Sequence, residues 1–248
     1  MANPIKVKTR VEMIEPHGVG IYSVVLKPES RIPRFKAGQF LHLALDDYDP
    51  AGGFWPESRV FSIASPPGAS FIEIVFSVKG EFTKRMEREL HPGRNVWTKL
   101  PYGDFSVETL AGSERDVVLI AGGTGVSPFL PFLEALSESE ERTRRIALHY
   151  GIRENGMLLH GELLEGAAKS GSGKIAIYVE NEEPRLGLDR AVRRCRGRLD
   201  IEVIKEEANE LVDPVFFLSG PPQMIALFKQ KLLQHGVQQD RIMIDEWE

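Results

Sequence analysis

The chain has 248 residues, a formal net charge of −5 and a hydrophobic content of 42%, which suits two globular domains and argues against nucleic acid as a partner. Its one cysteine, Cys195, cannot make an internal disulfide, a zinc site or an iron–sulfur cluster, so a one-electron centre of that kind has to lie elsewhere. The opening MANPIKVKTR lacks the apolar core of a signal peptide, and no stretch is long and apolar enough to span a membrane, so a cytoplasmic protein is expected.

Along the first hundred residues, short segments with β-branched or alternating apolar side chains fall at 5–11, 20–26, 39–45, 59–64, 71–78 and 95–100. Glycine and proline separate them, at Pro28, Gly38, Pro50, Gly53, Pro67 and Gly93 among others. That spacing predicts a closed antiparallel β-barrel, interrupted by a helix at 83–90. Residues 108–114 are polar and read as the interdomain joint. Beyond them, 117–121, 145–150, 174–179, 201–204 and 215–218 read as buried parallel strands. Amphipathic helices are expected between and after them, at 126–138, 157–168, 187–196 and 221–235. Strand–helix alternation predicts an α/β doubly wound parallel sheet. The expected division is a β-barrel over residues 1–110 and an α/β domain over 111–248.

The run AGGTGVSPFL at 121–130 follows an apolar strand and leads into a helix. Gly122, Gly123 and Gly125 would let backbone approach a dinucleotide pyrophosphate with no Cβ in the way. The helix start then offers unpaired N–H groups to an anion. A second glycine turn, SGPPQM at 219–224, again follows an apolar run, and RVFS stands far upstream at 59–62. These three motifs, in this order and over nearly the whole chain, resemble the ferredoxin–NADP reductase superfamily. The resemblance implies a flavin-binding barrel, an NAD(P)-binding domain and electron transfer between nicotinamide and flavin.

Carried over position by position, the resemblance gives Arg59 a flavin phosphate. It places Phe61 along the flavin edge, where the family usually has tyrosine, and Ser62 near flavin N5. Gly80 and Thr83 correspond to a second phosphate contact at a helix start, with Thr83 equally readable as a simple cap. Two phosphate contacts favour FAD over FMN. On the nicotinamide side stand Thr124, Gly220, Pro221 and Ser219, the last where the family usually has cysteine. Near the end, Asp245 matches the family's acid, with Glu246 the alternative if the register slips by one, and Trp247 its aromatic. Ser62, Ser219 and Asp245 are therefore the expected catalytic group; no metal is expected.

The donor is NADH or NADPH. Acids at Glu180, Glu182 and Glu183, where NADPH-using members place Ser-Arg, point to NADH, while Arg153 and Arg185 lie close enough in sequence to oppose that reading. The acceptor would be a separate redox protein: a ferredoxin, a flavodoxin or an oxygenase component. Lys79, Lys84, Arg85, Arg88 and Arg94 could form a basic docking face, or an ordinary solvated helix face. The competing reading is a non-catalytic nucleotide-binding subunit of a larger electron-transfer complex. The six histidines are scattered without metal-ligand spacing and read as structural or surface groups.

Overall fold

The structure, a computed structural model, describes residues 3–112, 114–138, 144–171 and 173–245. The first half contains β1 (Ile5–Pro16), β2 (Ile21–Pro28), β3 (Phe40–Ala44), β4 (Ser58–Ser62), β5 (Ile72–Ser77), helix α1 (Glu81–Glu89) and β6 (Asn95–Tyr102). The strands form one antiparallel sheet in the order β4-β3-β6-β1-β2-β5. A bridge between Ile63 and Ile74 brings the two edges together as a near-closed barrel. Alternate residues point inward, as the strand pleat requires. Val24, Leu26, Leu41, Leu43, Ile72 and Ile74 are thereby fully buried in one core. Helix α1 adds Phe82 and Met86 to that core.

The second half contains α2 (Val107–Ala111), β7 (Val117–Gly122), a 3₁₀ segment (Gly123–Phe129), α3 (Leu130–Glu138), β8 (Ile146–Ile152), α4 (Gly161–Lys169) and β9 (Lys174–Val179). It continues with β10 (Arg193–Arg196), α5 (Ile201–Ala208), β11 (Val215–Ser219), α6 (Pro222–Gln234) and β12 (Ile242–Ile244). All strand pairings here are parallel, in the order β10-β9-β8-β7-β11-β12. The order reverses at β7, which opens a crevice beyond the carboxyl ends of β7 and β11, the place where open α/β sheets bind ligands. Both glycine turns follow those two strands.

Two expected elements are overturned. Residues 201–204, read as a strand, begin helix α5. Asp200 caps that helix, its carboxylate accepting from the Glu202 backbone N–H at 2.9 Å. Ile201, Ile204 and Ala208 lie at helical spacing and pack with Phe216 and Leu218. Residues 187–196, read as a helix, instead form a loop that ends in β10. Gly187 and Gly197 take φ values of +65° and +100° on either side, and the charged run RRCR pairs along β9 as an edge strand. Charge on such an edge discourages pairing with other chains.

The two halves share apolar packing. Ile21, Ala37, Ala64 and Val75 from the barrel side join Val126, Phe129 and Leu130 in a single cluster. Phe105 in the connecting segment stacks edge-on against Phe217 of β11, with ring centroids 5.6 Å apart. The cleft walls are therefore held by a packed seam as well as by the chain linking them.

Candidate functional site

A cleft of about 1260 Å³ runs between the barrel and the parallel sheet. Phe61, Ser62 and Val75–Lys79 line it from the barrel; Gly122–Gly125, Ser219–Pro221 and Asp245 line it from the sheet. The RVFS strand and both glycine turns, up to 160 residues apart in sequence (Arg59 to Ser219), thus meet at one opening.

The glycines of the two turns are required mainly by each other. A Cβ at Gly125 would fall 2.5 Å from the Gly220 backbone, and one at Gly122 would fall 2.6 Å from Met224 Sδ. Gly220 takes φ +150°, and a Cβ there would be 2.8 Å from Met224 Cε. Gly123 differs: it takes φ +56° with open space around it, so its need is conformational. The turns interlock, which leaves Thr124 and the Gly123 backbone facing the cleft.

Ser219 and Asp245 form the polar centre of the sheet wall. The Ser219 hydroxyl donates to Asp245 Oδ2 at 2.9 Å, and the Asp245 backbone N–H donates to Leu218 O at 2.9 Å. Both side chains are buried. Burial pushes the Asp245 carboxyl up to about 7, with the Ser219 hydrogen bond pulling weakly the other way. This acid therefore holds or releases a proton near neutral pH. Ser62, also buried, stands on the facing barrel wall.

Arg59 lies outside the cleft lining, at its barrel end. Its side chain is half-exposed, paired with Glu57 at 2.9 Å, and its guanidinium sits 5.1 Å over the Phe82 ring. Phe82 belongs to α1, so Arg59 and the α1 start at Gly80 are neighbours. Thr83 is occupied by capping: its hydroxyl accepts from Lys79 N at 2.8 Å and Gly80 N at 3.1 Å, and donates to Gly80 O at 3.0 Å. A Cβ at Gly80 would meet nothing within 4 Å, so the helix start is open to a ligand. Trp247 and Glu246 lie outside the described residues.

Some lining residues escaped the sequence reading. Arg198 and Leu199 reach the cleft from the segment after β10, which adjoins the stretch mistaken for a helix. Glu180 at the end of β9 also lines it and is held by Arg198, Nε to Oε1 at 2.7 Å. Glu182 and Glu183 are engaged too, the first by the Asn155 backbone N–H and the second by Arg196. The basic run beside α1 is largely neutralised: Arg85 pairs with Asp46 and Glu89, Lys84 with Glu81, and both Arg88 and Arg94 with Glu89. That supports the solvated-face reading over a docking face.

Residues 119–230 match the family described as the oxidoreductase NAD-binding domain. The propane 2-monooxygenase reductase component of Rhodococcus jostii is 29% identical over 97% of this chain. The NAD(P)H-flavin reductase of Vibrio harveyi is 26% identical, covering 92% of both chains. The ferredoxin NADP+ reductase of Neisseria gonorrhoeae, solved with bound FAD and NADP, superposes with a TM-score of 0.74 at 20% identity, over 99% of each chain. These likenesses agree with the resemblance to the ferredoxin–NADP reductase superfamily over nearly the whole chain. It spans 63% of the Rhodococcus protein's length. Within the superfamily pattern, its two departures sit on opposite walls of the cleft. Phe61 presents a ring without a hydroxyl, and the Ser219 hydroxyl is already committed to Asp245.

Proposed function

We propose that this chain is a flavoprotein reductase that takes hydride from a reduced nicotinamide and passes electrons singly to a separate redox protein. The observation that carries the reading is the meeting of RVFS, the GGTG turn and the SGPPQM turn at one cleft. Arg59 and the open start of α1 suit the two phosphates of FAD, with Phe61 and Ser62 placed for its ring system. Bound FAD would supply the conversion of a two-electron hydride into single electrons. The protein's own part is orientation and proton holding: the interlocked turns position the nicotinamide end of the donor, and Asp245 keeps a proton at the edge of the reaction space. Similarity to an oxygenase reductase component favours an oxygenase component as acceptor, ahead of a ferredoxin or flavodoxin.

NADH fits the adenosine end of the cleft better than NADPH. Glu180 would accept hydrogen bonds from a ribose diol and would face a 2′-phosphate with a like charge. Glu180→Gln should therefore improve kcat/KM for NADPH relative to NADH by about tenfold, since one such charge contact is worth about 1.4 kcal/mol or more. An unchanged ratio would assign donor choice to other residues.

Arg59→Ala should weaken FAD binding by about 10- to 100-fold, the value of one or more charge-assisted hydrogen bonds of roughly 1.5–3 kcal/mol. Flavin fluorescence titration measures it, and an unaltered Kd removes Arg59 from the flavin site. The overall reading is tested by an anaerobic absorbance spectrum before and after stoichiometric NADH, then NADPH. Yellow protein that bleaches promptly supports the reductase. Protein that stays colourless and unreactive after added FAD favours the non-catalytic subunit.

A further inference from the structure

The geometry points to His160 and Glu73 as positioning residues: an ion pair across the cleft's seam that sets the spacing of its two walls when His160 carries a proton. His160 precedes α4 in the nucleotide-binding half, and Glu73 lies on β5 of the barrel. His160 Nε2 stands 2.9 Å from Glu73 Oε1, with the side chains 26% and 12% exposed. The inference rests on the reductase reading above, because the spacing of the walls matters through the hydride step.

Each partner is two or three residues from the cleft lining. On the barrel, Val75 follows Glu73 by two positions and lines the cleft; on the other side, Met157 lines it three positions before His160. A second contact reinforces the seam beside the pair. Gly18, at φ +68°, lies so close to Gly156 and Met157 that a Cβ would meet Met157 Cγ at 3.0 Å and the Gly156 carbonyl carbon at 3.2 Å. Val19 and Gly20, which follow it, are lining residues again. The barrel, through Gly18 in a loop and Glu73 on β5, thus touches the segment leading into α4 at two points beside the opening.

His160 is held in a left-handed backbone conformation, φ 49° and ψ 43°. Among residues other than glycine, asparagine, aspartate and histidine take this region most readily. Leu159 before it is fully buried, and the His160 carbonyl accepts the Leu164 N–H at 3.0 Å to start the helix. The imidazole is aimed across the domain boundary at the Glu73 carboxylate.

The groups facing the imidazole from every neighbouring element are Glu73 on β5, Glu134 on α3, Glu15 on β1 and His17 in the following loop. Burial alone would lower the His160 titration. The hydrogen bond and charge of Glu73, with the more distant Glu134 and Glu15, outweigh it and hold His160 above its ordinary value of 6.5. His17 moves the other way: burial lowers it, and a charged His160 lowers it further. Its ring is already hydrogen-bonded to Ser23 Oγ at 2.9 Å. His160 is therefore held above the ordinary histidine value and His17 below it. The pair's contribution is fully present below pH 6.5 and is lost as pH rises through the raised folded-state value.

Two measurements test this on the intact chain. Imidazole NMR titration should find His160 titrating above the ordinary value, and Glu73→Gln should lower it; an unmoved titration overturns the pair. Anaerobic stopped-flow reduction by NADH should then be followed against pH for the wild type and His160→Asn. Asparagine tolerates the left-handed conformation, does not titrate and is too short to reach Glu73 where Nε2 does, so the ion pair is absent from the variant at every pH. Asp245 titrates in both proteins, so the wild-type-to-variant rate ratio isolates the clamp. That ratio should fall by about tenfold as pH rises through the His160 titration, within the roughly 10²-fold that a 1 Å misplacement can cost. Saturation by NADH should shift little, because the effect lies in the hydride step. A ratio constant with pH overturns the proposal. Wild-type protein that neither donor bleaches defeats the reductase reading instead and, with it, the role in the hydride step, while the NMR titration still decides whether the ion pair exists.

Discussion

Gly125→Ala is expected to abolish nearly all NADH-driven reduction while leaving flavin binding intact. The added methyl would lie 2.5 Å from the backbone of Gly220 and nearer still to the Ser219 carbonyl oxygen. Every obstructing atom is backbone, so no side chain can swing aside. Gly125 does not sit at positive φ, so alanine carries no conformational penalty of its own; the conflict is purely between the two turns. Overpacking of this kind typically costs about 1–3 kcal/mol, and the turns can relieve it only by moving apart. A displacement near 1 Å at a site that orients the donor can cost about 10²-fold in rate. Arg59 and α1, which belong to the barrel, are untouched. Flavin content read by absorbance should match the wild type, while single-turnover reduction falls by about two orders of magnitude. Gly123→Ala provides the contrast. Its methyl would meet open space, but at φ +56° it should cost roughly 1–2 kcal/mol of backbone strain. A Gly125→Ala protein reduced at the wild-type rate would show that the interlock does not position the donor.

Much of this architecture was readable in the sequence, because the barrel strands alternate and the glycine turns follow apolar runs. Leu41 and Leu43 face inward while His42 between them is less buried, which is the period-two signature of a half-buried strand. The stretch from 187 to 204 defeated the same reasoning. Ile201-Glu-Val-Ile204 is too short for periodicity to separate strand from helix, and the deciding group, Asp200, lies one residue before it. The four residues of β10 carry three arginines, so their strand character comes from the edge of β9 and not from apolar burial. The site was legible in its parts but not in its pairings. Ser219 and Asp245 were each expected at the cleft; their hydrogen bond spans 26 residues and no local pattern announces it. Nor could the sequence reveal that Gly122, Gly125 and Gly220 are needed by the opposing turn. The choice between a basic docking face and a solvated helix face was open in the sequence for a related reason. Asp46 comes from a different part of the barrel, and Glu89 from the helix itself, to neutralise most of the basic run.

Replacing Asp245 with asparagine should separate stability from catalysis, with opposite signs. The carboxyl titrates near 7 in the folded protein against an ordinary value of 3.8. Between those values the native state binds a proton that the unfolded chain has released. Stability attributable to this group is therefore complete below pH 3.8 and is lost progressively as pH rises to about 7. At about 1.36 kcal/mol per unit, the loss is on the order of 4 kcal/mol as an upper estimate. Asparagine keeps an oxygen to accept from Ser219 and never ionises, so it removes the penalty of a buried charge. The variant should melt several degrees higher than the wild type at pH 8, given that 1 kcal/mol moves a chain of this size by about 2–4 °C. At pH 4 the two should melt together. His160 titrates in both proteins and cancels from the comparison. Turnover should move the other way. Hydride transfer itself consumes no proton, so the effect is electrostatic: an ionised Asp245 would favour the positive charge that develops on the nicotinamide as hydride leaves, and asparagine would not, so reduction at pH 8 should slow by about tenfold and its pH dependence near 7 should flatten. If the variant instead kept the wild-type rate and pH profile, Asp245 would be a buried acid tolerated for packing. If only the melting difference failed to appear, the carboxyl would be solvated in the folded protein, and its raised titration, not its place beside Ser219, would be the premise in error.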